Sequence, residues 1–463
     1  MLNLTRRKAI APAGERRADA LAATLSWPHL LALGVGAIVG TGILTLIGVG
    51  ADRAGPAVLV SFGIAGLVCA CAAQCYAELA AMMPAAGSAY SYSYAALGEI
   101  FAWVVGWALI LEYSLVVSTV AVGWSGYAAP ILKDWGVGAA WLNGPELNGI
   151  VNAPAVLVIA VVTALLLVGT RESARINTVL VVVKIVTLSL FVAVALPYFD
   201  GANLHPFNPF GFAAHTVDGQ PRGIMSAAAV IFFAFYGFDA ISTAAEETKR
   251  PERDLAIGIV GSMAICTIVY VAVAAAAVGA LPYTRFANSP EPLALILREL
   301  GQGGIARVIA IAAIVALPTV LLAFLYGQSR IFLAMARDGF LPAGLARISS
   351  RGVPARITVA TAVLVAVLAG VLPIGEIAAL ANAGTLIAFM AVGACLIVMR
   401  RRAPELHRPF RAPAGVVVGA GAVLGCAYLF VSLPAKTLIA CAIWNAVGFA
   451  IYFAYARSRS RLA

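Results

Sequence analysis

The sequence predicts an all-α membrane protein with twelve transmembrane helices, and three observations carry that prediction. The first is composition. Of 463 residues, 62% are hydrophobic and only 11% are charged, with a mean hydropathy of +0.96, whereas soluble domains are about half apolar and about a quarter charged. The core of a water-soluble chain grows too slowly with size to hide that much apolar surface, so lipid must be the solvent for most of it. The second is a series of twelve apolar runs, at roughly residues 30–50, 57–82, 100–128, 151–169, 176–197, 223–247, 255–281, 305–337, 356–372, 378–400, 413–433 and 436–456. Each approaches or exceeds the roughly twenty residues a helix needs to cross a bilayer. Lipid admits only helices and closed barrels, and these runs are too long and too uniformly apolar for barrel strands. The third is the placement of the cations.

Ahead of the first run, residues 1–28 carry Arg6, Arg7, Lys8, Arg16 and Arg17. No apolar core precedes them and no small-residue cleavage site follows, so the segment reads as a cytoplasmic tail and not as a cleaved signal. Twelve crossings return the chain to the side of that tail. On that side also fall Arg171, Arg175, Lys249, Arg250, Arg253, Arg330, Arg337, Arg347, Arg351, Arg356, Arg400, Arg401, Arg402, Arg408, Arg411, Arg457, Arg459 and Arg461, twenty-three cations in all. The other side holds seven: Arg53, Lys133, Arg222, Arg285, Arg298, Arg307 and Lys436. Cytoplasmic loops carry the excess of Lys and Arg, so both termini are expected in the cytoplasm. The net charge of +10 is therefore assigned to membrane lipids, because the cations sit between apolar runs where anionic headgroups would meet them. Nucleic acid is not expected as a partner.

No G-x-x-x-x-G-K-[ST] loop is present, which argues against nucleotide binding and an ATP-driven pump; H-E-x-x-H and G-x-S-x-G are absent as well. With no loop longer than about 20–30 residues to hold a catalytic domain, an enzyme is not expected, nor is a cofactor. The seven cysteines lie in apolar stretches and the four histidines, His29, His205, His215 and His407, fall in tails or loops. Cys69, Cys71 and Cys75 lack a nearby histidine to complete a metal-ligand set, so they read as small packing residues.

Candidate chemistry sits inside the spans. The first contains Gly34, Gly36, Gly40 and Gly42 within nine residues. Glycine costs a helix about 1 kcal/mol relative to alanine, so this helix is weak at mid-membrane depth. A break there would free backbone N–H groups and aim a helix N-terminus at an anion such as a carboxylate. The spacing Gly36-x-x-x-Gly40 equally fits small-residue helix packing. The sixth span runs Phe232, Phe233, Ala234, Phe235, Tyr236, Gly237, Phe238, Asp239, a weaker break signal that also reads as aromatic packing. If a five-helix unit is used twice, the first and sixth spans correspond, and paired interruptions of that kind point to a transporter site.

Three kinds of ionisable residue lie within spans. Glu112, mid-way through the third, would cost on the order of 3 kcal/mol or more facing lipid, so it should face the interior, as a site residue or as a hydrogen-bond partner to a neighbouring helix. Lys184, some eight residues into the fifth, is a proton carrier if buried, since burial disfavours its charged form, or a lysine that snorkels to the headgroups. Glu246 and Glu247 end the sixth span beside Lys249 and Arg250, as gate residues or as interfacial ion pairs.

These stretches resemble the amino acid–polyamine–organocation superfamily and, within it, bacterial members of the cationic amino acid transporter family. The run G-A-I-V-G-T-G-I at 36–43 looks like the family's first-helix signature, and Leu111–Tyr113 with 120–127 (V-A-V-G-W-S-G-Y) is similar to its third helix. Segments 237–247 and 251–254 resemble its sixth helix and following loop, 327–339 its eighth, and 408–413 (R-P-F-R-A-P) the loop after its tenth. The likeness runs from about residue 25 to 456.

The resemblance implies a five-plus-five inverted repeat of the leucine-transporter type followed by two further helices, and uptake of amino acids coupled to protons. The domain plan is then a tail at 1–28, a ten-helix transport core at 29–400, two additional helices at 401–456 and a tail at 457–463. It further implies that a substrate carboxylate meets the N–H groups of Thr41 and Gly42 beside Gly40. The α-amino group would meet carbonyls of Ile38, Phe233, Ala234 and Tyr236 near Gly237. Lys184 would stand where sodium-driven relatives hold sodium, and Glu112 and Glu246 or Glu247 would match family glutamates. Leu322, Ala323, Phe324 and Leu325 of the eighth span are expected to approach the pocket, and their apolar character favours neutral over cationic amino acids, although Glu112 is suited to a cation. An amino acid exchanger and a membrane sensor of transporter-like fold are the competing expectations; a channel is disfavoured by the lack of a filter motif.

Overall fold

Several of the helices are interrupted at glycine or proline, and those interruptions organise the structure. The computed structural model describes residues 6–8, 23–144, 148–168, 171–287, 289–342, 344, 349 and 355–460, with backbone alone for 168, 171–176 and 375. Most of the expected tail at 1–28 lies outside these residues, including Arg16 and Arg17, as do Arg347, Arg351 and Arg461.

The first apolar run forms three helical pieces, α1 (Trp27–Ile38), α2 (Thr41–Leu44) and α3 (Leu46–Ala54). The start of α1 corrects one reading: His29 was expected in a loop and sits in the first helical turn, because Pro28 is tolerated there without loss of a helical hydrogen bond. Gly55, at φ +61°, turns the chain into α4 (Val58–Met82). A short α5 (Ser88–Ala96) leads to the 36-residue α6 (Glu99–Asp134) and a single turn, α7 (Ala139–Leu142). Then come α8 (Ala153–Val168) and α9 (Arg171–Ala195), followed by a two-stranded hairpin, His215–Val217 with Gln220–Arg222.

The sixth run is broken like the first, into α10 (Ile224–Ile231), a 3-10 turn at Phe232–Ala234 and α11 (Asp239–Thr243). The helix α12 (Pro251–Ala280) follows, with Pro251 in its first turn and Glu252 and Asp254 beside its positive end. Two connecting helices, α13 (Tyr283–Phe286) and α14 (Pro292–Glu299), precede α15 (Gly303–Ala316) and α16 (Pro318–Arg337). The chain ends with α17 (Ala355–Val371), α18 (Ile374–Arg402), α19 (Gly415–Val431) and α20 (Ala435–Ile451). Among the described residues nine helical stretches are long and apolar enough to cross a membrane, and 153–167, 355–371 and 415–431 are shorter apolar helices.

The kink between α15 and α16 has a local cause. Pro318 has no N–H, so the carbonyl of Ile314 loses its helical donor; the indole Nε1 of Trp124 on α6 donates to it instead, at 2.7 Å. The outward faces of several helices are apolar stripes one turn apart, such as Leu157, Val161 and Leu165 on α8 and Ile439, Ile443 and Val447 on α20. Stripes of this extent are what lipid covers. Inside, the interhelical space is filled mostly by alanine, valine, leucine and aromatic side chains.

Polar anchors fix the two ends of the chain on one face. The backbone N–H of Glu99 donates to Arg6, and Lys8 Nζ lies 2.5 Å from Asp338. The carboxylate of Glu99 also accepts from the hydroxyls of Tyr452 (2.9 Å) and Ser460 (2.8 Å), so residues 6–8 and 452–460 meet at the start of α6. Nearby, the buried carboxylate of Glu78 accepts from Arg400 at 2.5 and 3.0 Å and from Ala412 N at 2.8 Å, with Arg408 Nε at 3.2 Å. That cluster pins the 408–413 loop to the end of α4.

Candidate functional site

The two broken spans touch at their breaks. After Ile38 the backbone leaves helical geometry: Val39 is extended (φ −72°, ψ 100°), Gly40 is more so (φ −153°, ψ −148°), and the helix restarts at Thr41. The opening N–H groups of α2, those of Thr41 and Gly42 among them, have no intrahelical acceptor. In the sixth span Gly237 takes φ +121°, a conformation that strains a residue with a side chain, and its N–H donates to Asp239 Oδ1 at 3.0 Å. A Cβ on Gly42 would fall 2.2 Å from the Cα of Ala234, and one on Gly237 would fall 2.9 Å from the carbonyl carbon of Ala37. The absence of side chains at these two glycines is what lets the segments cross at backbone contact. Ile38, Gly40, Thr41, Gly42, Phe233, Ala234, Tyr236 and Gly237 are thereby brought together, all of them buried.

The carbonyls released by the first break have specific partners. Lys184 Nζ donates to Gly36 O at 2.8 Å and Val39 O at 2.6 Å. The lysine is only 3% exposed, so it does not snorkel. Its ammonium is held where the helix has stopped supplying donors, and Thr319 Oγ1 lies 3.5 Å from the same Gly36 carbonyl. Tyr270 OH donates to Ile38 O at 2.7 Å and Tyr127 OH to Leu44 O at 2.6 Å. Ile38 O therefore has one lone pair engaged by α12 and one left for another donor.

Around the breaks stand polar groups from the surrounding helices. Tyr113 OH donates to Asp239 Oδ2 at 2.6 Å, joining α6 to the start of α11. Glu112, next to it, is fully buried, and neither carboxylate oxygen has a hydrogen-bond partner among the described residues. Gly384 lets α18 come close here; a Cβ on it would lie 2.8 Å from Ala108 O and 3.3 Å from Glu112 Cβ. Tyr236 OH, Thr41 Oγ1 and Gln328 Oε1 are likewise buried without partners. Phe324 packs on Tyr113 and Tyr236, with ring centroids 5.0 and 6.1 Å apart, so the 322–325 stretch does reach this locus.

Glu246 and Glu247 pair across to α16 and not with their sequence neighbours. Arg330 Nη2 lies 3.2 Å from Glu247 Oε1, which also accepts from Tyr326 OH, and Arg337 lies 3.7 Å from Glu246. The Arg330 guanidinium sits 3.4 Å from the Tyr326 ring centroid, while Lys249 and Arg250 are exposed. The chain entering α1 is tied to the same point, because the N–H groups of Thr24 and Leu25 donate to Glu247 O and that of Lys249 to Leu25 O, at 2.8–2.9 Å.

Sequence reasoning missed Tyr113, Tyr270, Thr319 and Gln328 as members of this locus. A polar residue inside an otherwise apolar span is the signal that marks them. Asp239 was noted only as a possible break marker, and its bond to Tyr113 depends on a helix that is remote in sequence.

Residues 25–454 match the amino acid permease family. The chain is 42% identical to the branched-chain amino acid permease BcaP of Bacillus subtilis, over 94% of this chain and 93% of that protein. It is 40% identical to the methylthioribose transporter of B. subtilis over the whole length of both. Against the vacuolar cationic amino acid transporter 4 of Arabidopsis thaliana it is 39% identical, over 83% of this chain and 64% of that longer protein. These relatives are transport proteins and not enzymes. The match over nearly the whole chain, on a frame of apolar helices, makes this an integral membrane protein that belongs to the amino acid permease family of the amino acid–polyamine–organocation superfamily.

Proposed function

We propose that the chain imports neutral L-amino acids across the bacterial inner membrane by proton symport, through alternating access. The observation that carries this reading is the contact of two broken spans with Lys184 seated on the carbonyls of the first break. In this reading the N–H groups of Thr41 and Gly42, beside Gly40, take the substrate carboxylate. Carbonyls of Ile38, Phe233, Ala234 and Tyr236, near Gly237, take its α-amino group, and Phe324 lines the space for its side chain. Lys184 is the proton-coupling residue, in the place a metal cation would otherwise fill, and Glu246 and Glu247 belong to a gate closed by Arg330 and Arg337.

The wider frame follows from counting α1–α3, α4, α6, α8, α9, α10–α11, α12, α15–α16, α17, α18, α19 and α20 as twelve crossings. The first ten form a five-plus-five inverted repeat over residues 29–400 and two more helices follow at 401–456, with tails at 1–28 and 457–463. The meeting of residues 6–8 with 452–460 supports termini on one side, and the cation count puts that side in the cytoplasm. The spans α1–α4 and α10–α12 rock against the rest.

The name of the B. subtilis branched-chain permease and the apolar 322–325 stretch support a neutral apolar substrate. A cationic substrate is the second reading, favoured by the partnerless carboxylate of Glu112 and by the name of the plant relative. Uptake of labelled L-alanine, L-valine, L-leucine and L-arginine by proteoliposomes, with and without an inward proton gradient, tests both. Gradient-driven accumulation of a neutral amino acid is expected. Accumulation of arginine alone would overturn the substrate, and uptake only into liposomes preloaded with amino acid would make the protein an exchanger.

A further inference from the structure

We propose that Asn177 is the relay through which Lys184 releases its proton to the cytoplasmic water; the proposal rests on the proton-symport reading above. Asn177 precedes Lys184 by seven residues, two helical turns, so both side chains lie on one face of α9. That face packs on α1. Asn177 Nδ2 donates to Ala32 O at 3.3 Å, and the amide, Oδ1 included, lies beside Gly36. That oxygen lies 3.0 Å from where a Cβ on Gly36 would stand. The carbonyl of the same glycine is one of the two that hold the Lys184 ammonium.

Asn177 is 6% exposed, and its Oδ1 accepts no hydrogen bond among the described residues. A buried acceptor with no donor is costly enough that it calls for an explanation. It lies two turns nearer than Lys184 to the end of α9 that starts at Arg171. The other groups facing Lys184 are ill suited to the task. Gly36 and Val39 present carbonyls, Thr319 and Cys266 belong to α16 and α12, and no carboxylate hydrogen-bonds to Lys184 among the described residues.

The release step follows from this geometry. One N–H bond of the ammonium breaks, its electron pair stays on Nζ, and the proton passes to a water molecule. The resulting hydronium donates to Asn177 Oδ1 while it hands a proton on to the cytoplasmic water, and Lys184 is left neutral. The amide accepts a hydrogen bond and is never itself protonated. Asn177 therefore acts through Lys184, as a positioning residue for the departing proton.

The test compares net uptake with exchange, since exchange of internal for external substrate needs no net proton release. Proteoliposomes with the full chain would be assayed with labelled L-valine, under an inward proton gradient and, separately, preloaded with unlabelled L-valine at equal pH. Asn177→Leu removes both ends of the amide at similar volume. Asn177→Asp keeps an acceptor oxygen and removes the N–H donated to Ala32. The expected result is that Asn177→Leu loses gradient-driven accumulation by about tenfold, the scale of one hydrogen bond to a charged group, while its exchange stays within about twofold. Asn177→Asp should keep both activities. Equal loss of accumulation and exchange in Asn177→Leu would make the residue structural, and unchanged accumulation in that variant would show that the proton leaves without the amide; either overturns the relay. A wild-type protein that exchanges L-valine without accumulating it would instead overturn the symport reading and the relay with it.

Discussion

Adding one methyl group at Gly42 would press the two broken spans apart. A Cβ there falls 2.2 Å from Cα, 2.5 Å from Cβ and 2.9 Å from N of Ala234. Two of those three atoms are backbone and cannot swing aside as a flexible side chain would. Ordinary contact begins at 3.4 Å, so the segments must separate by about 1.2 Å at that point. A misplacement of about 1 Å costs on the order of 10²-fold where one bound group must meet several fixed partners. For a ligand held by N–H groups of one segment and carbonyls of the other, that corresponds to about 2.7 kcal/mol of binding. Gly42→Ala is therefore expected to weaken substrate affinity by roughly 100-fold. Equilibrium binding of the labelled substrate to detergent-purified protein reads this directly. Gly63→Ala is the matched control, because a Cβ on Gly63 meets nothing within 4 Å and alanine in place of glycine suits a helix. Unchanged affinity in Gly42→Ala would refute the argument that substrate sits where the two breaks cross.

Three further outcomes are expected. Lys184→Ala should abolish gradient-driven accumulation in proteoliposomes, since the only ammonium on the Gly36 and Val39 carbonyls among the described residues is removed; wild-type accumulation by that variant would refute its coupling role. Glu78→Ala should destabilise the protein by about 3–5 kcal/mol, because it leaves Arg400 and Arg408 facing a buried site without their carboxylate; an unchanged unfolding midpoint in detergent would show that the cluster is dispensable. Trp124→Phe should cost about 1 kcal/mol by orphaning the Ile314 carbonyl, and adding Pro318→Ala, which restores a backbone N–H to that carbonyl, should remove most of the Trp124→Phe penalty; additive effects in this pair would sever the link between the indole and the kink.

Most of the helical frame was legible because lipid makes one demand on sequence, a run of about twenty apolar residues, and α4, α12 and α18 follow their runs closely. Helix ends were less legible, since α6 continues to Asp134 and α9 begins at Arg171, where the sequence turns polar and hydropathy falls while the backbone stays helical. The hairpin at 215–222 left no apolar trace at all. At the site, residue type identified Lys184 and Glu112 as misfits in an apolar span, but not their surroundings. Lys184 has two carbonyl acceptors and Glu112 has no partner among the described residues, and that difference depends on helices more than a hundred residues away. The ion pairing of Glu246 and Glu247 was legible, but its partners were not, for the same reason. Proximity in sequence suggested Lys249 and Arg250, whereas the turn at the end of the sixth span points both carboxylates at α16.

The glycines of the first span show why composition alone left two readings open there. Helix packing and helix breaking both call for the absence of a side chain, and the structure assigns the two demands to different glycines of one short stretch. A Cβ on Gly34 would strike Ser262 of α12 at 2.5 Å, and one on Gly36 would strike Val181 of α9 at 2.9 Å; these two sit within α1 and let neighbouring helices approach. Gly40 has the dihedral angles that interrupt the helix, and Gly42 provides the contact with the other break. Packing by the first pair is what makes the interruption tolerable. It brings α9 near enough for Lys184 to reach carbonyls that would otherwise be unsatisfied in the membrane interior. The break and the close packing are thus parts of one arrangement: filling Gly36 would push away the helix that carries Lys184, the donor on which the break at Gly40 depends.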